Sequence, residues 1–129
     1  MKYAMWILGA VFLIFAASCN VLNPTANQVQ IEATNQYGGS CTIIVNLDGN
    51  NTVTIGNGNQ EQFPLVSPGS HTLNFSTIGS CVGGTGSCLF SNSNATTFST
   101  TFNANSGTVY VGTVKQNGSN CSALIESGP

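Results

Sequence analysis

Beyond residue 28 the chain alternates apolar and polar residues with a period of two, and this pattern constrains its fold more than any other feature. "QVQIEAT" sets Val29 and Ile31 on one side, and "CTIIVNL" does the same with Ile43, Val45 and Leu47. "TVTI" offers Val53 and Ile55, and "HTLNFS" offers Leu73 and Phe75. "ATTFSTTFNA" puts Phe98 and Phe102 on one face with Thr100 between them. "GTVYVGTVKQ" sets Val109, Val111 and Thr113 against Tyr110 and Val114, and "CSALIE" closes the chain. Successive side chains of an extended strand point to opposite faces, so each run reads as a half-buried strand. β-branched residues dominate, and no stretch past the N-terminal segment keeps a helical apolar period. Short strands at this spacing predict an all-β fold, an antiparallel Ig-like β-sandwich of about seven strands.

The punctuation agrees. Asp48-Gly49 lies between two alternating runs, where a glycine that accepts positive φ closes a hairpin. "NGSN", Asn117 to Asn120, predicts a second hairpin. Pro68-Gly69 marks another turn. Pro64 in "EQFPLV" cannot donate to a central ladder, so that segment is expected at a sheet edge. Residues 77 to 94 are rich in Gly, Ser and Asn and hold Cys81 and Cys88, as a long stapled loop would.

The stretch from Ile43 to Phe75 resembles PEGA-type domains of bacterial surface proteins. The likeness rests on Asp48-Gly49, on Pro68-Gly69 and on His71-Thr72-Leu73, followed by Phe98 to Phe102, Gly107 and Tyr110. The Pro-Glu-Gly-Ala motif itself is absent. The resemblance implies a small sandwich serving as a structural or binding module, with no catalytic residues to carry over.

The N-terminus is of another kind. Lys2 precedes an uncharged run, "YAMWILGAVFLIFAA", shorter than the roughly 20 apolar residues a spanning helix needs. Ala16-Ala17-Ser18-Cys19 then resembles the lipobox of a bacterial lipoprotein signal peptide, with Ala16 where that family usually has Leu. The resemblance implies cleavage before Cys19 and lipid on its thiol. An ordinary signal peptidase site, releasing a soluble protein, and an uncleaved anchor are the alternatives. The expected organisation is a signal-peptide helix over 1–18, a lipidated tether over 19–27 and a β-sandwich over 28–129. Asn20 is not the Asp that resembles an inner-membrane retention signal, so the outer membrane is favoured over the inner.

Cysteine arithmetic fits this plan. Of five cysteines, lipid on Cys19 leaves Cys41, Cys81, Cys88 and Cys121, enough for two disulfides in an oxidising compartment. Three pairings are open. Cys81–Cys88 with Cys41–Cys121 is favoured, because it closes the glycine-rich loop and ties an early strand to the last. A metal site is not expected: no C-x-x-C spacing occurs, and the only histidine, His71, is far from all four in sequence.

Composition removes whole classes of function. Past residue 18 there is one basic side chain, Lys115, against Glu32, Asp48, Glu61 and Glu126. Such a chain cannot neutralise a row of phosphates, so nucleic acid is excluded as a partner, and so is a polybasic membrane patch. Catalysis has little to work with. His71, Asp48 and a serine could be drawn as a triad, but no Gly-x-Ser-x-Gly elbow exists. Asp48-Gly49-Asn50 reads as a hairpin turn, since the calcium loop it suggests lacks its twelfth-position Glu. The carboxylates fall in different segments, which argues against a glycosidase pair. "GNGNQ" and "GGTGS" have no lysine and no following helix, so neither cradles phosphate. No enzyme and no cofactor is expected. The reading is a lipid-anchored cell-envelope protein, a structural or binding module held to the membrane through its N-terminal lipid. Its partner would be an envelope protein or glycan, met through strand edges and a surface that includes Thr96, Thr97, Ser99 and Thr101. The alternative is a small secreted enzyme or inhibitor acting on envelope polymers.

Overall fold

A computed structural model describes residues 24–38, 41–78, 89–91, 93–118 and 120–128. The signal-peptide segment, Cys19, most of the tether, Cys81 and Cys88 lie outside the described residues. Those described form eight strands and no helix: β1 (Gln30–Gln36), β2 (Thr42–Leu47), β3 (Asn51–Ile55), β4 (Gln60–Gln62), β5 (Gly69–Ile78), β6 (Thr97–Ala104), β7 (Val109–Asn117) and β8 (Asn120–Gly128). They make two four-stranded sheets, in the orders β4-β1-β7-β8 and β3-β2-β5-β6.

The sandwich is all-β as the alternation predicts, with one departure from antiparallel pairing. β1 runs parallel to β7, Gln30 opposite Val109 and Gln36 opposite Lys115. Its other neighbour, β4, is antiparallel, with Glu32 opposite Gln62. Period two fixes which side chains share a face but carries no information on strand direction. The parallel pair therefore left no mark in the sequence.

The hairpins form where turn chemistry places them. Asp48 and Gly49 both take positive φ, at 54° and 76°, and Leu47 pairs with Asn51 across the turn. Gly118, at φ 63°, lets Asn117 pair with Asn120. Gly69 opens β5 at φ 142° just after Pro68. β4 is the predicted edge element, and it ends before Pro64.

Inward residues of both sheets fill one core. Val29, Ile31, Ile43, Val45, Leu47, Ile55, Phe63, Leu73, Phe75, Phe90 and Val114 are all essentially buried. Phe75, Phe90 and Phe98 form an aromatic cluster with centroids 5.9 to 6.5 Å apart. Gly112 is inward on β7 where no side chain fits. A Cβ there would lie 2.9 Å from Phe75 Cζ and 3.0 Å from Leu73 Cδ1.

Two buried polar groups lock the layers together. Asn35, at the end of β1, is fully buried. Its Nδ2 donates to the Cys41 carbonyl at 2.9 Å and to the Ile55 carbonyl at 3.0 Å, and its Oδ1 accepts from the Tyr37 amide. Asn35 thus binds the first sheet to both strands of the β2–β3 hairpin. On the β6–β7 crossover, the Tyr110 hydroxyl accepts from the Asn105 amide and donates to the Asn103 carbonyl. A buried polar group without partners costs about 1–3 kcal/mol, so these bonds decide whether the layers close.

Candidate functional site

The first candidate is the pair that the turn motif brings together. Asp48 sits in the β2–β3 turn and His71 near the start of β5. His71 Nδ1 lies 2.7 Å from Asp48 Oδ2, and Nε2 lies 2.7 Å from the Ser67 carbonyl oxygen. Asp48 Oδ1 also accepts from the Thr72 amide. Both ring nitrogens therefore face acceptors, an arrangement that needs a proton on each and makes His71 an imidazolium. Burial alone would lower the His71 pKa. The Asp48 hydrogen bond, the Ser67 carbonyl and the Asp48 charge outweigh it and raise it above 6.5. Burial likewise works to raise the Asp48 pKa, but the His71 and Thr72 hydrogen bonds and the His71 charge bring it below 3.8. A general base needs a free ring nitrogen aimed at a nucleophile. Here Nε2 is spent on a carbonyl, so the constellation clamps the hairpin to β5. Pro68 and Gly69 serve the same clamp by turning the chain between Ser67 and His71.

The second candidate is the outer face of β3-β2-β5-β6. Register aligns Thr54, Ile44, Ser76 and Thr97 in one row, and Thr52, Asn46, Asn74 and Ser99 in the next. Asn46 Nδ2 donates to Thr52 Oγ1 at 2.7 Å, and the Thr72 and Thr101 hydroxyls meet at 2.9 Å. None of these four strands contains Asp, Glu, Lys or Arg. Thr97, Ser99 and Thr101 are outward and exposed as expected. Thr96 stands just before β6, where its carbonyl accepts from Thr77.

The third candidate was not visible in the sequence. A cleft of about 710 Å3 opens on the outer face of β4-β1-β7-β8, lined among others by Thr34, Gln36, Gln60, Val111, Thr113 and Glu126. Glu32 and Glu126 flank Val111 in a single register row, and Thr34 and Thr113 sit side by side in the next. Glu32 is only 9% exposed. Its two oxygens accept from the side-chain amides of Gln60 and Gln62, the latter at 2.8 Å. Thr34 Oγ1 donates to Gln60 Oε1. Period two put Glu32 and Thr34 on one side of a strand, but nothing local announced that three-residue β4 would arch its glutamines over them. The separation of Glu32 and Glu126 in the sequence was no guide either, because β7 pairs with both of their strands.

Of the cysteines, Cys41 and Cys121 are buried at 2% and 0% exposure. Cys121 forms a parallel bridge with Phe90. Among the described residues no group of three or more His, Cys, Asp or Glu is placed to hold a metal ion. The chain matches no protein-family model and no curated protein.

Proposed function

We propose that this protein is a lipid-anchored module of the bacterial cell envelope that binds an envelope polymer or protein without catalysis. The observation that carries the binding half is the uncharged hydroxyl and amide face of β3-β2-β5-β6. Such a surface offers donors and acceptors in register and repels no neutral partner. The Ala16-to-Cys19 motif and the odd fifth cysteine support the anchor. The PEGA-like turn motif is consistent with the same role, since its Asp48 and His71 are consumed in a structural clamp. Anchoring is tested by fatty-acid labelling and membrane fractionation of the wild type beside Cys19→Ala. Label and membrane association should both be lost in the variant, and an unlabelled, soluble wild type refutes the anchor. Binding is tested by a pull-down from envelope extract beside an activity screen on envelope polymers. Turnover lost on replacing His71 or a carboxylate would instead establish the secreted-enzyme alternative.

The same reading includes two disulfides among Cys41, Cys81, Cys88 and Cys121, each worth roughly 2–4 kcal/mol. The burial of Cys41 and Cys121 supports it. Strand register favours one connectivity over the pairing of Cys41 with Cys121. Thr42 is opposite Ile78, shortly before Cys81, and Phe90, shortly after Cys88, is bridged to Cys121. The chain therefore leaves from beside Cys41 and returns beside Cys121, which suits Cys41–Cys81 and Cys88–Cys121. Non-reducing peptide mapping separates the three pairings.

A further inference from the structure

We propose that the cleft over β1 and β7 is a binding site for a neutral polyhydroxyl ligand, of the saccharide class. The proposal concerns the sheet opposite the Thr/Ser/Asn face, and it stands whether or not Cys19 carries lipid.

The Thr34 hydroxyl gives its one proton to Gln60 Oε1, so it has only lone pairs left for a ligand. Gln60 is held in turn, since its Nε2 donates to Glu32, which is buried behind the lining. Glu126, opposite Val111, lines the cleft with a carboxylate that only accepts. These groups ask for a ligand rich in O–H groups. They are also set before any ligand arrives, because Glu32 holds Gln60 and Gln60 holds Thr34.

Charge narrows the class. An anion such as phosphate, sulfate or a uronate would face the Glu126 carboxylate and is disfavoured. A metal cation is disfavoured because Glu126 is the one carboxylate of the lining. An organic cation would meet Lys115, two positions beyond Thr113 on the same face of β7. The lining is not wholly polar: half-buried Val111 is part of it. Outside the lining, Leu124, opposite Thr113 on β8, is 49% exposed. A pyranose ring has this same pairing, hydroxyls at its edge and C–H groups on its face.

The test titrates the full processed protein with cellotetraose, maltotetraose, tetra-N-acetylchitotetraose, tetragalacturonate and spermidine, following amide chemical shifts. At least one neutral tetrasaccharide should bind, shifting Thr34, Thr113 and Glu126. Thr113→Val and Glu126→Gln should each weaken that binding about tenfold while the spectrum of the core stays native. The proposal is overturned if only tetragalacturonate or spermidine binds, if no neutral tetrasaccharide shifts these residues, or if Thr113→Val and Glu126→Gln both leave the binding unchanged. These results are independent of Cys19 labelling, so failure here leaves the anchor standing, and failure of the anchor leaves the cleft.

Discussion

The two outer faces of this sandwich have opposite characters. The strands of β3-β2-β5-β6 contain no Asp, Glu, Lys or Arg, and their outer rows are arrays of Thr, Ser and Asn interrupted by Ile44. Those of β4-β1-β7-β8 carry Glu32, Glu61, Lys115 and Glu126, which with Asp48 are all the Asp, Glu, Lys and Arg residues beyond residue 18. Side-chain length drives the difference. Thr, Ser and Asn are short and bond across adjacent rows, so the first face stays even. Glutamines on a three-residue edge strand are long enough to reach over β1 and satisfy Glu32, and this reach raises a wall and leaves a trough beside it. A few long side chains thus decide whether a sheet presents a surface or a site.

Several substitutions would break or sharpen this contrast. The largest effect belongs to the core that both sheets share. Phe75→Ala should cost about 3–5 kcal/mol. If the sandwich is one cooperative unit, near-UV and far-UV melts should fall together, and separate transitions would show that the two faces rest on independent layers. Next comes the lock between layers. Asn35→Leu removes donors from the Cys41 and Ile55 carbonyls and an acceptor from Tyr37, and should cost about 2–3 kcal/mol in urea unfolding. A smaller loss, about 1.5 kcal/mol, is expected for Glu32→Ala, which removes the acceptor of the solvent-exposed Gln60 and Gln62 amides. Hydrogen exchange should then quicken in β4 and leave β6 untouched.

The pH prediction is smaller and belongs to the even face alone. His71 has its pKa raised, so its contribution is full below 6.5 and is lost as pH rises through the folded value. Asp48 has its pKa lowered, so its contribution is full above 3.8 and is lost as pH falls through the folded value. The clamp is complete between these limits. Solvent reaches Asp48, so the pair is worth less than about 1 kcal/mol. Thermal midpoints of the wild type and His71→Gln should differ most in that window and converge on the alkaline side. A constant difference would mean the clamp does not titrate. The smallest effect is Ser99→Lys, which should stay within about 0.5 kcal/mol of wild type.

The even face was far more legible in the sequence than the cleft. Its strands are long, alternate cleanly and are joined in part by the Asp48-Gly49 hairpin, so neighbours along the chain are neighbours in the sheet. The cleft is assembled from β1, β4, β7 and β8, whose pairings, apart from β7 with β8, join distant segments. β4 has three residues, too few to show a period, and the β1–β7 register depends on tertiary packing. Asn35 escaped notice for a related reason: an Asn at a strand end reads locally as a turn former, and only the opposite sheet supplies the carbonyls it binds.

The parallel placement of β1 beside β7 has a mechanical consequence. β1 is the first strand among the described residues, and it lies between β4 and β7, where it is bonded on both sides. A pull on the chain ahead of Gln30 acts along the strand, so its ladder bonds must yield together in shear and cannot open one after another from an edge. β1 is therefore held by the bonding pattern best able to resist such a pull. The same pattern delays assembly, because β1 has no β7 to pair with until residues 109–117 have emerged, and that long contact sets a slow closing step.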